Sequence, residues 1–156
     1  MFTMIMGILE LSMFFASGNI LEGASQEAGR RIRTGQGQAA NDPEQAFKDF
    51  LCANVSTILR CEDIQYEVIH IADDTFGSAE NMEPQFDEDG NLVPGSFDVG
   101  NSSDVILIRA HYKWEFVTPF IAAMLTGSPT DNTVSHLTTV VLKTEPYCTS
   151  IIQTNC

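Results

Sequence analysis

The chain has 156 residues, 44% of them apolar, and its 21 acidic against 8 basic side chains leave a formal net charge of −13. That apolar share supplies the core of one folded domain and excludes global disorder. The acidity excludes phosphate recognition, because Arg30, Arg31 and Arg33 form the only basic group, so no nucleic-acid partner is expected.

The first segment, Met1 to Leu21 (MFTMIMGILELSMFFASGNIL), has one charged residue, Glu10, and carries Phe, Met, Ile and Leu on every helical face. At 1.5 Å per residue it is about 30 Å long, enough to cross a bilayer. A cleavable secretory signal needs a basic n-region and a short apolar core ending in small residues, and neither is present. A buried core helix is the competing reading, supported by Glu10 in mid-span. Beyond Leu21 the pattern turns amphipathic, with Ile20, Ala24, Ala28 and Ile32 at four-residue spacing and charges elsewhere. Residues 1–34 are therefore expected to form one hydrophobic and amphipathic stem helix, a membrane span or filament core, stopped by Gly35 and Gly37.

An ionised side chain at the middle of a bilayer costs a few kcal/mol, so Glu10 calls for a partner. In a bundle of stems that partner is a neighbouring subunit. Gly18, Gly23, Ala24, Ala28 and Gly29 are small enough to let helices approach closely, so Glu10, Gly18, Gly23, Ala24 and Ala28 are the candidates for stem packing and register. Arg30, Arg31 and Arg33 are interaction candidates: Glu22 and Glu27 lie within reach along the helix, and the acidic domain of a neighbour offers a second set of partners. The positive-inside rule alone would keep these arginines in the cytoplasm.

Residues 35–156 read as a globular α+β domain. Asp42 as N-cap, Pro43 at the first helical position and Gln45 three residues after the cap open a helix with one apolar face from Pro43 to Arg60. Ile64 to Ala72, Asp104 to Phe116 and His136 to Thr144 read as strands, the second with Ile106, Ile108, Ala110, Tyr112 and Trp114 on one face and Arg109, His111 and Lys113 on the other. Pro119 to Leu125 is a short apolar turn of helix or loop cover. The expected fold is one helix packed on a small, mostly antiparallel sheet. Between the first two strands, residues 73–104 form an acidic loop expected to be solvated. Asp87, Asp89 and Asn91 place oxygen donors at alternate positions, but the glycine and the twelfth-position Glu of an EF-hand are misplaced.

No catalytic, cofactor or metal site is expected. His70, His111 and His136 fall on different strands without a second histidine at ligand spacing, and no phosphate loop, nucleophile elbow or C-x-x-C occurs. Four cysteines allow three pairings. Cys52 with Cys61 and Cys148 with Cys156 are favoured because each closes a local loop, the second holding the C-terminal tail.

Four segments together resemble TadE-like proteins of the tight-adherence pilus system: GILEL (Gly7 to Leu11), GASQEAGRRIRTGQ (Gly23 to Gln36), DVILIRAHYKWEFVTPF (Asp104 to Phe120) and TTVVLKTEPY (Thr138 to Tyr147). The resemblance implies a pilin-like, single-pass protein with its domain outside the cytoplasmic membrane. It acts as a minor pilin or pseudopilin, with homo- or hetero-oligomeric partners through the stem. The alternative is an assembly or binding factor retained in the membrane. Such precursors carry a glycine processed by a prepilin peptidase and a Glu at the fifth mature position. Glu10 matches instead a second, deeper Glu of the stem, so the chain is expected to begin downstream of the processing site.

Overall fold

The computed structural model describes residues 2–37, 39–72, 75–128 and 132–146. Its order is α1 (Phe2–Arg33), α2 (Pro43–Val55), β1 (Gln65–Ile71), β2 (Val105–Glu115), α3 (Pro119–Thr126) and β3 (Thr133–Lys143), with 3-10 turns at Cys61–Asp63 and Phe76–Asn81. The fold is α+β, as the alternation pattern predicts.

Helix α1 runs unbroken for 32 residues and ends where expected. Gly35 adopts the left-handed conformation, φ 78°, and the N–H groups of Gly35 and Gln36 return to the carbonyls of Ile32 and Arg31. Asp42 caps α2 by accepting the Gln45 N–H at 3.0 Å. The Gln45 side chain donates onward to Asp49 rather than back to the cap, so the reciprocal half of the capping box is absent. The helix stops at Val55, and turns continue the apolar face to Leu59.

The sheet is three-stranded and antiparallel, in the order β1-β2-β3, with Val68 opposite Ile108 and Ile108 opposite Val140. Its inner face buries Ile106, Ile108 and Ala110 against Leu21, Ala24, Ala28 and Ile32 of α1 and Leu51 and Val55 of α2. Strand β3 runs alongside the second half of α1 in the same direction. Gly18 meets the His136 ring, Gly29 meets Leu142, and the Glu145 N–H reaches the Arg33 carbonyl at 2.9 Å. A Cys52–Cys61 disulfide, with Cα atoms 5.2 Å apart, ties the end of α2 to the approach to β1. The favoured Cys148–Cys156 pair lies outside the described residues.

The outer face of the sheet differs from expectation. Residues 76–95 dock across it and Phe97 then bridges the edge of β1 at Val68, so the acidic segment is not simply a solvated loop. Gln65 Oε1 accepts the Leu92 N–H at 2.7 Å, Glu67 Oε2 accepts the Gly95 N–H at 3.1 Å, and the Asp98 N–H donates to the Val68 carbonyl at 2.8 Å. Arg109 donates to Glu67 Oε1 at 2.6 Å and to the Met82 carbonyl, while Lys113 reaches the Asp89 carbonyl. The reason is twofold: the outer face of β2 presents cations to a segment rich in carboxylates and carbonyls, and Ala79 and Met82 of that segment pack on Ile71, Val105 and Leu107. Arg109 and His111 are consequently buried.

Glu67 and Arg109 are each only about one-twentieth exposed. Removing one charge strands the other, so Glu67→Ala is expected to cost about 3–5 kcal/mol in denaturant unfolding, whereas a Glu67→Met/Arg109→Leu double variant recovers most of that loss. Equal stability of Glu67→Ala and the parent would show that the buried Glu67–Arg109 pair contributes nothing to the fold.

Candidate interaction surface on the stem

The sheet covers α1 only from about Phe14 upward. Phe14 is buried there, its ring 5.2 Å from Phe116 and stacked 4.2 Å from His136, with Trp114 at its edge. Below that level Phe2, Met4, Ile5, Ile8, Leu9 and Met13 are exposed. α1 is the one helix among the described residues long and apolar enough, by length and composition, to cross a membrane.

One element continues below the sheet. Strand β2 ends at Glu115, the next fifteen residues of sequence carry no charge, and α3 folds down beside the stem. Gly7 makes room for it, since a β-carbon there would lie 3.1 Å from Ile121. The junction is fastened by Glu10. Its carboxylate accepts the N–H groups of Val117 and of Thr118, the latter at 3.0 Å. Thr118 is the N-cap of α3 and provides no side-chain cap; Glu10, more than a hundred residues away in sequence, holds the N–H groups of that residue and of the one before it. Gly127 closes the other end with φ 71°. The carboxylate therefore has partners within its own chain, where a neighbouring subunit was expected to provide them. The outer side of α3 exposes Phe120 and Met124, 68% and 70% accessible.

At the upper boundary of this surface His136 is clasped by α1. Its Nε2 lies 3.0 Å from Ser17 Oγ, its ring stacks on Phe14, and Gly18 leaves the space it occupies. Burial lowers its pKa from the usual 6.5, and a hydrogen bond involving the Phe14 backbone partly offsets this. Burial lowers His111 as well, helped by the charge of Lys113.

The remaining sequence candidates are distributed as follows. Ala24 and Ala28 are buried in the core and Gly18 faces His136, so their smallness serves packing within the chain rather than between stems. Gly23 alone of the set faces open space, with no atom within 4 Å of a would-be β-carbon. Each arginine has a partner inside the chain: Arg30 forks onto Glu27, as its spacing allows, Arg31 lies 3.7 Å above the Phe50 ring, and Arg33 pairs with Glu145 at 3.1 Å. Glu22 accepts from Gln26 instead of from an arginine. His70 approaches Asp104 at 3.4 Å, and the Asp87 carboxylate closes a turn onto Asn91. Among the described residues no three His, Cys, Asp or Glu come together as a metal site would require.

Sequence reasoning missed α3 as a companion of the stem, although the charge-free run after Glu115 was a visible signal. No protein-family model, curated protein or solved structure matches the chain.

The lowered pKa of His136 gives a pH dependence with a defined sign. The unfolded chain takes up protons more readily than the folded one, so stability is complete above about pH 6.5 and declines as the pH falls toward the folded-state value. The denaturant midpoint is expected to drop between about pH 7.5 and 5.5, with a change in Trp114 emission as the Phe14 contact loosens. In His136→Gln the decline shrinks to the share left by His111. An unaltered profile in that variant would remove His136 from the clasp.

Proposed function

We propose that the chain is a pilin-like structural subunit of the TadE type, anchored in the cytoplasmic membrane by α1 with its domain outside, and assembled into an extracellular filament or its tip by stem packing. The observation that carries this reading is the division of α1. Its second half is built into the core of an α+β domain, while the first half projects beyond the sheet as an apolar rod accompanied by α3 alone among the described elements. A rod of this composition has to be covered by lipid or by other stems, and one segment serving both environments in turn is the economy of a pilin. Partners are then copies of the chain or related pilin-like subunits, and the use is adhesion or surface attachment. No chemistry is assigned to the protein, and no cofactor or metal.

A second reading has an observation of its own. The apolar side of α3 enlarges the lipid-compatible surface beyond a single helix, which favours an assembly or binding factor that remains in the membrane.

Electron cryomicroscopy of sheared extracellular material separates the two. Filaments with α1 in a packed core are expected, and recovery of the chain only with cytoplasmic membranes would transfer the assignment to the retained factor. Gly23 supplies the matching variant, since it is the small stem residue left outward-facing. Gly23→Leu should leave domain stability intact while removing about 1–2 kcal/mol per stem contact, a roughly tenfold weaker subunit association. Normal filament yield from Gly23→Leu would take Gly23 out of the contact.

A further inference from the structure

We infer that α3 is a second membrane-inserted element, a re-entrant helix that enters the bilayer beside the first half of α1 and is held there by Glu10. This rests on the membrane-anchor part of the proposed function and specifies what the anchor consists of.

Depth is the first argument. α3 does not lie at the end of the sheet but alongside α1, against Thr3, Met4, Gly7, Ile8 and Leu11. The part of α1 below the sheet, Phe2 to Met13, is about 18 Å long, somewhat more than one hydrocarbon leaflet. A bilayer that takes up these residues must take up α3 at the same level, unless the Glu10 junction breaks.

Composition and charge are the second. Residues 116–130 contain no Asp, Glu, Lys or Arg, and Phe120 and Met124 of α3 are among the most exposed apolar side chains of the described residues. The apolar groove between α3 and α1 opens onto the same surface. Glu115, immediately before this run, is exposed and marks a polar boundary on the side of the sheet.

Backbone satisfaction is the third, and it points specifically to lipid. Hydrocarbon provides no hydrogen bonds, so a non-helical chain entering it must satisfy its polar groups internally. The connection into α3 does so at three successive N–H groups. The Phe116 N–H donates to the Asn132 carbonyl, those of Val117 and Thr118 go to Glu10, and Pro119 has none to satisfy. On the far side the Gly127 N–H returns to Ala123, the Ser128 N–H goes to Thr126 Oγ1, and that hydroxyl lies within reach of the Ala122 and Ser128 carbonyls. An exposed turn in water needs none of this. The same junction resolves the problem that Glu10 poses in mid-span, because its charge meets two N–H donors at the positive end of a helix instead of bare lipid.

The test is depth-dependent quenching by brominated phosphatidylcholine, with the full chain reconstituted in phosphatidylcholine vesicles. Single tryptophans are placed by Ile5→Trp, as the α1 reference, or by Phe120→Trp, each in a Trp114→Phe background whose folding is verified by circular dichroism. Blue-shifted emission and quenching of Phe120→Trp within about twofold of Ile5→Trp are expected. Quenching of Ile5→Trp without quenching of Phe120→Trp would overturn the insertion of α3 and leave the anchor standing. A blue-shifted but unquenched Phe120→Trp would likewise overturn the insertion and assign the surface to a second copy of the chain. Absence of quenching at both positions would remove the anchor itself. Adding Glu10→Leu should at least halve the quenching of Phe120→Trp and leave that of Ile5→Trp, whereas Glu10→Gln, which keeps an acceptor, should fall between. Unchanged quenching of Phe120→Trp in Glu10→Leu would overturn the role given to Glu10.

Discussion

Close approach between α1 and β3 depends on side chains that α1 lacks. At Gly18 and Gly29 a β-carbon would come within 2.9 Å of His136 and Leu142, and Ala24 and Ala28 between them are buried with nothing larger than a methyl group. With bulkier residues the helix would stand off from the sheet, and the inner core formed by Ile106, Ile108 and Ala110 would lose the wall it packs on. The same contacts fix the height at which the sheet grips the stem. That height leaves the first half of α1 bare and sets the level at which α3 hangs beside it. The division of α1 into a part beyond the sheet and a part packed on it is therefore set by where the run of small residues facing β3 begins, at Gly18.

The domain above that boundary has two covered sheet faces of different kinds. One is apolar, made by α1 and α2. The other is mixed, made by a segment that begins and ends as loop but is pinned through Gln65, Glu67, Arg109 and Lys113 and packs Ala79 and Met82 on Ile71, Val105 and Leu107. A sheet of three strands cannot bury much by itself, so both covers contribute to holding it. The buried Glu67–Arg109 pair sits directly across β1 and β2 and selects the register of those two strands, since a slip would leave a charge without its partner.

Much of the fold was legible in the sequence because it is written in local periodicity. The stem helix, its glycine stop, the Asp42 cap of α2 and the inner face of β2 each follow from residues within a few positions of one another. Three features were not legible, for a common reason. Glu10 meets Thr118 across 108 residues, Ser17 meets His136 across 119, and Gln65 meets Leu92 across a loop with no periodic signal. Such contacts depend on how elements are set against each other, which composition and spacing do not encode. The candidate site was half visible: the apolar stem and the unusual mid-span Glu10 were read from the chain, but the partner of Glu10 was assigned to another subunit. Likewise the arginines looked available because the sequence shows their charge and not their occupied neighbours, Glu27, Phe50 and Glu145.

The side-by-side, same-sense arrangement of α1 and β3 has a mechanical consequence. A pull along the stem axis would load the Gly18–His136, Gly29–Leu142 and Arg33–Glu145 contacts together. They are spread over about 22 Å of helix and would have to shear at once instead of opening one after another. A force applied across the axis would instead peel them in sequence from one end. The joint between stem and head is thus strong in the direction of tension and weak to bending, so the head would yield sideways before the stem slides out.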